Sequence, residues 1–220
     1  MIRRSLTTLS LLVLASAPLS AQADKDPTHK VAGKTPLPAG WSGRTDRPND
    51  KLSDAKFVTM GSGFHVTSGP AAIYWNAHHT AAGPFVATAS LTQTKAPMHP
   101  EAYGIIFMGK KLDAADQSYM YFIVRQDGKF MVNHRAGAEV HKLVPWTDHA
   151  AVHKADAAGK ATNALTVDAS KADSVRLLVN GTQVHALPAN QFGGTDGLVG
   201  LRVNHNLDVH VGEFSLTPKK

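Results

Sequence analysis

The sequence contains no cysteine at all. Disulfide bridges, zinc–thiolate sites, a thiol nucleophile and a lipid-anchored cysteine are therefore excluded. Glutamate is scarce as well, since Glu101, Glu139 and Glu213 are the only ones, and each lies more than four residues from another acid. Closely spaced carboxylate pairs that include a glutamate are thus missing from the chain.

Long apolar runs are absent except near the N-terminus, where residues 6–19 follow Arg3 and Arg4 and precede Ala21-Gln22-Ala23. A charged start, a short apolar stretch and small residues before the cleavage point are typical of a secretory signal peptide, and the run is too short to span a bilayer. We predict a signal peptide at 1–23, cleaved before Asp24. The protein is then expected to be periplasmic or secreted, without membrane insertion.

A strong charge surplus is also missing. Removing Arg3 and Arg4 with the signal peptide lowers the net charge from +6 to +4, and the remaining basic residues are scattered. No basic patch of the kind that binds nucleic acid is present, so no nucleic-acid partner is expected. The 197 residues of the mature chain suit one domain. We predict an extended arm at 24–50, rich in Pro, Lys and Gly, followed by one domain at 51–220.

Helical periodicity is lacking too, and the best candidate for a short helix is 147–154. Short strand-like runs dominate instead, and Asn180-Gly181 has the residue pair that a type I′ hairpin turn needs. The predicted strands are 64–67, 71–76, 85–93, 103–109, 118–125, 129–135, 140–144, 163–167, 175–184, 197–203 and a last strand from 207. This spacing predicts an all-β, two-sheet antiparallel β-sandwich of the jelly-roll kind.

Alternation along the strands predicts which side chains face the core. Met120, Phe122 and Val124 form one such set. In the strand 197–203 and just beyond it, Leu201 and Val203 point inward while Arg202 and Asn204 point outward. In the last strand, the predicted buried set is Leu207, Val209 and Val211.

Several segments together resemble a known superfamily. They are YGIIFMG, QSYMYFIVRQDGKFMVNHR, NALTV, VRLLVNG and DGLVGLRVNHNLDVHVGEFSL. Their succession, over about 55–217, is similar to the concanavalin A-like lectin/glucanase superfamily, and within it to laminin G-like and 3-keto-disaccharide hydrolase-like bacterial exported domains. The resemblance implies a jelly-roll sandwich and raises the expectation of sugar binding, without fixing an activity.

The glucanases of that superfamily carry their acids in a Glu-x-Asp-x-x-Glu type run, which this chain lacks. A retaining mechanism needs two carboxylates about 5 Å apart, so we predict no catalytic residue. Glu101 is the one acid that we place at the rim of a groove, and a solvated acid at a strand end is its alternative. We lean against an enzyme.

Sugar recognition needs an aromatic surface for the ring, and amide or guanidinium groups that hydrogen-bond paired hydroxyls. Outward positions supply both groups. The predicted ligand-binding residues are Trp75, Asn76, Tyr121, Arg125, Arg135, Arg202, Asn204 and His205. Alternation requires Tyr74 or Trp75 to face the core instead.

The chain has 12 histidines, and His149 and His153 would share one face of the short candidate helix. A metal site there needs a third ligand, such as His141, Asp148 or Asp156. We predict no cofactor, with a divalent metal at this pair as the alternative.

The leading prediction is an exported, non-catalytic, lectin-like domain that binds a saccharide or polyol in the groove of its concave sheet. A hydrolase of 3-keto-glycosides or related modified sugars is one alternative. An envelope adhesion or interaction module is the other.

Overall fold

The structure is a computed structural model that describes residues 27–31, 35–192 and 194–219. The signal peptide predicted at 1–23 lies outside the described residues. Within the described residues, no helix is long and apolar enough to cross a membrane.

The described part of the chain consists of β-strands and two short 3-10 turns, Leu52–Asp54 and Ala189–Phe192. In chain order the strands are β1 Trp41–Thr45, β2 Lys56–Met60, β3 Gly63–Thr67, β4 Ala72–Ala81, β5 Phe85–Gln93, β6 Ala102–Lys110, β7 Ser118–Arg125, β8 Lys129–Ala136, β9 Glu139–Asp148, β10 Ala161–Asp168, β11 Ser174–Val179, β12 Thr182–Pro188, β13 Gly197–Val203 and β14 Asp208–Pro218. The all-β prediction is confirmed.

The strands form two seven-stranded antiparallel sheets that pack into a sandwich. Sheet A has the order β1-β4-β13-β6-β7-β8-β9, and sheet B has the order β12-β11-β10-β5-β14-β3-β2. Neighbours in space are often distant in sequence, so β13 joins β4 to β6 from the far end of the chain.

The main core lies between the sheets and follows the predicted alternation. Met120, Phe122 and Val124 of β7 are buried there, as are Leu201 and Val203 of β13. The third predicted set, Leu207, Val209 and Val211, is buried in the same core. Each of these sets occupies every second position, as expected for strands with one face on a core.

The outer face of sheet A, which points away from this core, is buried as well. A second apolar cluster covers it, formed by Ile73, Trp75, Ala102, Ile106, Leu112, Tyr119, Tyr121 and Ile123. Leu112 comes from the loop after β6, and Arg44 of β1 donates hydrogen bonds to the carbonyls of Leu112 and Ala114, which holds this loop over the sheet. The strands β6 and β7 are therefore covered on both sides, and the expected row of solvent-exposed residues is absent there.

The hairpin between β11 and β12 turns at Asn180 and Gly181, whose φ angles are 50° and 79°. Both values lie in the left-handed region that a type I′ turn requires, so this prediction is confirmed. The Asn180 side chain also accepts a hydrogen bond from Ala164 N at 2.8 Å and donates one to Ala151 O at 2.8 Å.

Two features differ from the expectations. Residues 41–45 of the predicted arm are strand β1, which pairs with β4, and Trp41 packs 5.1 Å from the Phe64 ring in centroid distance. The sandwich therefore starts before residue 51, because Trp41 packs against the main core and β1 pairs with β4.

The short helix at 147–154 does not form, since Thr147 and Asp148 pair with β8 at the end of β9.

Candidate functional site

A polar cavity of about 270 Å³ lies at one end of sheet A, and we call it the end cavity. Five separate segments build it: residue 28 near the N-terminal end of the described chain, the loop after β1, the residue before β4, the residue before β6, and the end of β13 with the two residues that follow it. Its walls are Thr28, Asp46, Arg47, Asp50, Ala71, Glu101, Arg202, Asn204 and His205. The sheet topology brings these segments together because β13 lies between β4 and β6.

Glu101 is only 9% exposed, which excludes the alternative of a solvated acid at a strand end. Asn204 Nδ2 donates to Glu101 Oε2 at 3.1 Å, and His205 Nδ1 lies 3.3 Å from Glu101 Oε1. His99 Nδ1 is 3.8 Å from the same oxygen. The carboxyl group is thus held by an amide and by imidazoles, an arrangement that fixes its position in the cavity wall.

Arg202 and Asp46 form a bidentate ion pair across the cavity wall. Arg202 Nη1 donates to Asp46 Oδ1 at 2.9 Å, and Nη2 donates to Oδ2. Burial alone would raise the pKa of Asp46, but the charge and hydrogen bonds of Arg202 outweigh burial and hold the pKa below its usual value. Burial alone would lower the pKa of Arg202, but Asp46 outweighs that effect and raises it. Both groups are therefore ionised at neutral pH, and their charges largely cancel.

Two polar atoms of these residues have no partner among the described residues. They are Arg202 Nε, a donor, and Asn204 Oδ1, an acceptor, and both are buried. Buried polar atoms are nearly always paired, with protein, water or ligand. Two residues in the wall of the end cavity thus each carry a buried polar atom that has no hydrogen-bond partner among the described residues.

The aromatic residues of the outer face are engaged with one another and with neighbouring polar groups. Tyr121 Oη accepts a hydrogen bond from Asn133 Nδ2 at 2.8 Å. The Arg202 guanidinium carbon lies 4.8 Å from the centre of the Tyr121 ring. Trp75 and Tyr121 are only 8% and 6% exposed, so neither ring offers a free face to a sugar.

Comparison with solved structures identifies the fold. A metal-free form of the Emp46p carbohydrate recognition domain is similar, with a TM-score of 0.53 and 10% identity over 81% of this chain and 88% of that chain. A Bacillus licheniformis β-glucanase is similar with a TM-score of 0.53 and 12% identity, over 84% of this chain and 95% of that chain. The Emp47p carbohydrate recognition domain is similar with a TM-score of 0.50 and 8% identity, over 88% of this chain and 94% of that chain. The chain has the concanavalin A-like sandwich fold.

Sequence comparisons add no narrower assignment to this concanavalin A-like sandwich. No family model matches the chain, and no curated protein matches it. Identities of 8% to 12% show the fold alone. The laminin G-like and 3-keto-disaccharide hydrolase-like resemblance remains a prediction.

The concanavalin A-like sandwich brings only some of the predicted ligand-binding residues together. Arg202, Asn204 and His205 line the end cavity, and Tyr121 contacts Arg202 from the adjoining outer face. Trp75 shares the apolar cluster of that face.

The other three predicted residues lie elsewhere. Arg125 stacks on Trp146, with 4.5 Å from its guanidinium carbon to the ring centre, and donates to Asp127 Oδ1 at 2.8 Å. Arg135 donates from Nε to Gly137 O at 2.6 Å. Asn76 accepts a hydrogen bond from His78 N at 3.0 Å. None of the three lines the end cavity.

Sequence reasoning missed Asp46 and Asn133 as partners of these residues. Asp46 is 156 positions from Arg202, in a segment predicted to be an arm, so no local pattern connects the two. Asn133 directly opposes Tyr121 in the β7–β8 hairpin. Gln126, Asp127 and Gly128 connect the two strands, and the contact follows from the register counted outward from that connection.

His149 and His153 line a separate open cavity of about 620 Å³ at the end of β9. His149 Nδ1 accepts a hydrogen bond from Ala151 N at 3.1 Å, and His153 Nδ1 lies 2.9 Å from Thr162 O. Without the helix, their predicted common face does not exist. Across the described ranges, no group of three or more His, Asp or Glu residues is arranged to hold a metal.

Proposed function

We propose that this protein is an exported, lectin-like domain that binds a saccharide or related polyol in the end cavity, without cleaving glycosidic bonds. The observation that carries the proposal is the convergence of Glu101, Asn204 and Arg202 on one cavity that holds an unpartnered buried donor and acceptor. Sugar hydroxyls are both donors and acceptors, so they match the amide, carboxylate and guanidinium groups that these three residues carry.

The size of the end cavity limits the ligand. Pockets that enclose drug-sized molecules range upward from about 300 Å³, and the end cavity has about 270 Å³. One sugar ring, such as the terminal unit of an oligosaccharide, therefore suits it better than a longer segment. Recognition would depend on hydrogen bonds, since Trp75 and Tyr121 are buried.

The fold supports the proposal at a coarser level. The similar structures include two proteins named as carbohydrate recognition domains and one named as a β-glucanase. Glycosidic cleavage by two carboxylates is disfavoured, because Asp46 is already paired with Arg202. Asp50 is the remaining acid in the wall of the end cavity, and it lies in the loop after β1.

The test is a glycan array with the mature protein, followed by calorimetry on the best ligand. We expect Asn204→Ala and Glu101→Gln to weaken binding at least 10-fold, because each removes a group that hydrogen-bonds the sugar hydroxyls. Asn190→Ala, which removes an exposed amide outside the end cavity, is the matched control and should bind like the wild type. Absence of binding to any saccharide at millimolar concentration would refute the proposal.

A hydrolase of 3-keto-glycosides or related modified sugars is a second candidate. It is favoured by the His205 imidazole beside the buried Glu101 carboxyl, 3.3 Å apart, since such a pair can exchange a proton with a substrate. Incubation with a 3-keto-disaccharide distinguishes the two functions. If the wild type releases free sugar and the Glu101→Gln variant does not, the hydrolase is favoured over simple binding.

An adhesion module has less support. The exposed large apolar residues of the described chain include Val58 and Met60 on β2 and Val140 and Leu143 on β9, which are edge strands of different sheets. They form no single patch of the kind that marks a protein-binding surface.

A further inference from the structure

A further cavity, of about 320 Å³, lies at the opposite end of sheet A from the end cavity, and we call it the serine cavity. Ala102 pairs with Arg125 near the end cavity, whereas Lys110 pairs with Ser118 at the other end of the same two strands. The polar side chains in its wall include Lys110, Ser118, His134 and Gln191, and Met108 and Met120 supply apolar surface.

Ser118 and His134 form a hydrogen-bonded pair in this cavity. The distance from Ser118 Oγ to His134 Nε2 is 2.9 Å. His134 directly opposes Met120, two residues beyond Ser118, so both side chains leave the sheet on the same face. This is the geometry in which an imidazole can take the proton of a serine hydroxyl as the oxygen attacks an electrophile.

The protonation state of His134 suits that role. Burial lowers the pKa of His134, and the nearby His141, whose ring stacks at 5.7 Å, lowers it further. The imidazole is therefore neutral at pH 7 and, in the tautomer with the proton on Nδ1, can accept the hydroxyl proton at Nε2.

An irregularity in β6 places a cation opposite the serine. Phe107 opposes Met120, so a regular register would set Gly109 opposite Ser118, but a bulge sets Lys110 there instead. Met108 within the bulge and Lys111 next to it have φ angles of 54° and 50°, uncommon values for residues other than glycine. Backbone outliers of this kind concentrate at functional sites. Directly opposed residues have neighbouring side chains, and Lys110 and Ser118 both line the cavity, so the exposed Lys110 side chain can extend toward a group bound to Ser118.

We propose that the serine cavity is an acyl-transfer site that hydrolyses esters of short carboxylic acids. Ser118 Oγ forms a bond to the ester carbonyl carbon while its proton passes to His134 Nε2, and the Lys110 ammonium stabilises the oxyanion. The tetrahedral intermediate then breaks its bond to the alcohol oxygen, which receives the proton from His134. Water then attacks the acyl carbon while its proton passes to His134 Nε2. The bond between the acyl carbon and Ser118 Oγ breaks, the carboxylic acid leaves, and His134 returns the proton to Ser118 Oγ. This site is separate from the end cavity, so the proposal can be tested independently of saccharide binding.

The experiment is covalent labelling with a fluorophosphonate, mapped by peptide mass spectrometry, together with hydrolysis of p-nitrophenyl acetate. In the wild type we expect a stoichiometric adduct on Ser118. Ser118→Ala should abolish the adduct and lower hydrolysis at least 100-fold, and His134→Gln should slow labelling of Ser118 at least 100-fold. Lys110→Met should slow hydrolysis about 10-fold or more while the adduct still forms on Ser118.

Ser174→Ala is the matched control, because this serine donates only to the adjacent Asp173 at 2.9 Å and lies outside the cavity. It should label and hydrolyse like the wild type. The proposal is overturned if Ser118 carries no adduct in wild-type protein that circular dichroism shows to be folded. Labelling that is unchanged in His134→Gln would overturn it equally. Because mapping uses the wild-type protein, the result does not depend on whether a variant folds.

Discussion

Removing Asp46 should destabilise the protein more than removing its partner Arg202. Arg202 is only 7% exposed, so Asp46→Ala leaves a buried cation without a counter-charge. Loss of one partner from a buried ion pair costs about 3–5 kcal/mol. The contact of Arg202 with the Tyr121 ring at 4.8 Å remains and offsets part of this, about 1 kcal/mol. We expect a loss of about 3 kcal/mol in the free energy of unfolding.

Arg202→Met should cost less, about 1–2 kcal/mol. The Asp46 side chain is 22% exposed, so its carboxylate can regain water contacts when the guanidinium is absent. Methionine also fills part of the space of the arginine stem among the apolar residues of the outer face. The double variant should be close to Arg202→Met alone, so the coupling energy should be about as large as the cost of Asp46→Ala, about 3 kcal/mol.

Urea unfolding followed by circular dichroism, with linear extrapolation to water, measures all four free energies of this cycle. The reasoning is refuted if Asp46→Ala costs less than about 1 kcal/mol, or if Arg202→Met costs more than Asp46→Ala. Arg44→Met is a useful control, since its guanidinium donates to backbone carbonyls rather than to a carboxylate. Its loss should show a smaller coupling with Asp46→Ala than Arg202→Met does, because Arg44 is not part of the Asp46–Arg202 ion pair.

The same pair predicts a pH dependence. The folded-state pKa of Asp46 is held below its ordinary value, so its stabilisation is fully present above the unfolded-state pKa, about 3.9. It is lost as the pH falls through the lower folded-state pKa, because the protonated acid no longer pairs with Arg202. Asp46→Asn lacks this term, so the stability difference between wild type and variant should shrink below about pH 4. A difference that stays constant from pH 7 to pH 3 would contradict the assignment.

Two further substitutions test the sandwich itself. Asn180→Ala should cost about 2–3 kcal/mol in thermal unfolding, since it leaves Ala164 N without its acceptor and puts alanine at a φ of 50°; an unchanged Tm would argue against the hairpin geometry. Gly104→Ala should cost more than about 3 kcal/mol, because its Cβ would lie 2.1 Å from Phe122 O of the neighbouring strand, whereas Gly212→Ala, with nothing nearer than 3.7 Å, should be tolerated. Equal Tm values for these two glycine variants would contradict the close approach of β6 and β7.

Much of the fold follows from local pattern. The alternation of Met120, Phe122 and Val124 predicts both the strand and its core face, because a period of two is imposed by the backbone alone. The turn at Asn180-Gly181 is equally local, since few residues accept the φ angles that it needs. Such features do not depend on which strand lies alongside.

Features that depend on distant contacts were not predictable. Tyr121 lies on the outer face as the alternation predicts, yet it is buried in an apolar cluster that includes Leu112 from the loop after β6. The residues next to Tyr121 in the sequence do not predict that its outward-facing side chain is buried. The absence of a helix at 147–154 has a similar origin, because pairing of Thr147 with Phe130 extends β9 through this segment. Weak local helix preference is overridden when strand pairing is available.

The candidate site shows the same division. Arg202 and Asn204 are assigned to the outer side by their alternation with Leu201 and Val203, but their partners Asp46 and Glu101 come from segments more than 100 residues away. Alternation predicts which face of the sheet a side chain lies on, but it does not predict which residues that side chain contacts. Only the order of strands in the sheet brings these acids to one cavity.

The end cavity exists only while the loop after β1, the start of β6 and the end of β13 stay assembled. A ligand seated there would favour the native state over the unfolded chain by mass action, adding about 2.7 kcal/mol at a free concentration 100 times its Kd. Melting temperature would thus act as a built-in reporter of occupancy. Screening by thermal shift would identify a ligand without any assay of turnover, and a variant with a distorted cavity would respond less at the same dose.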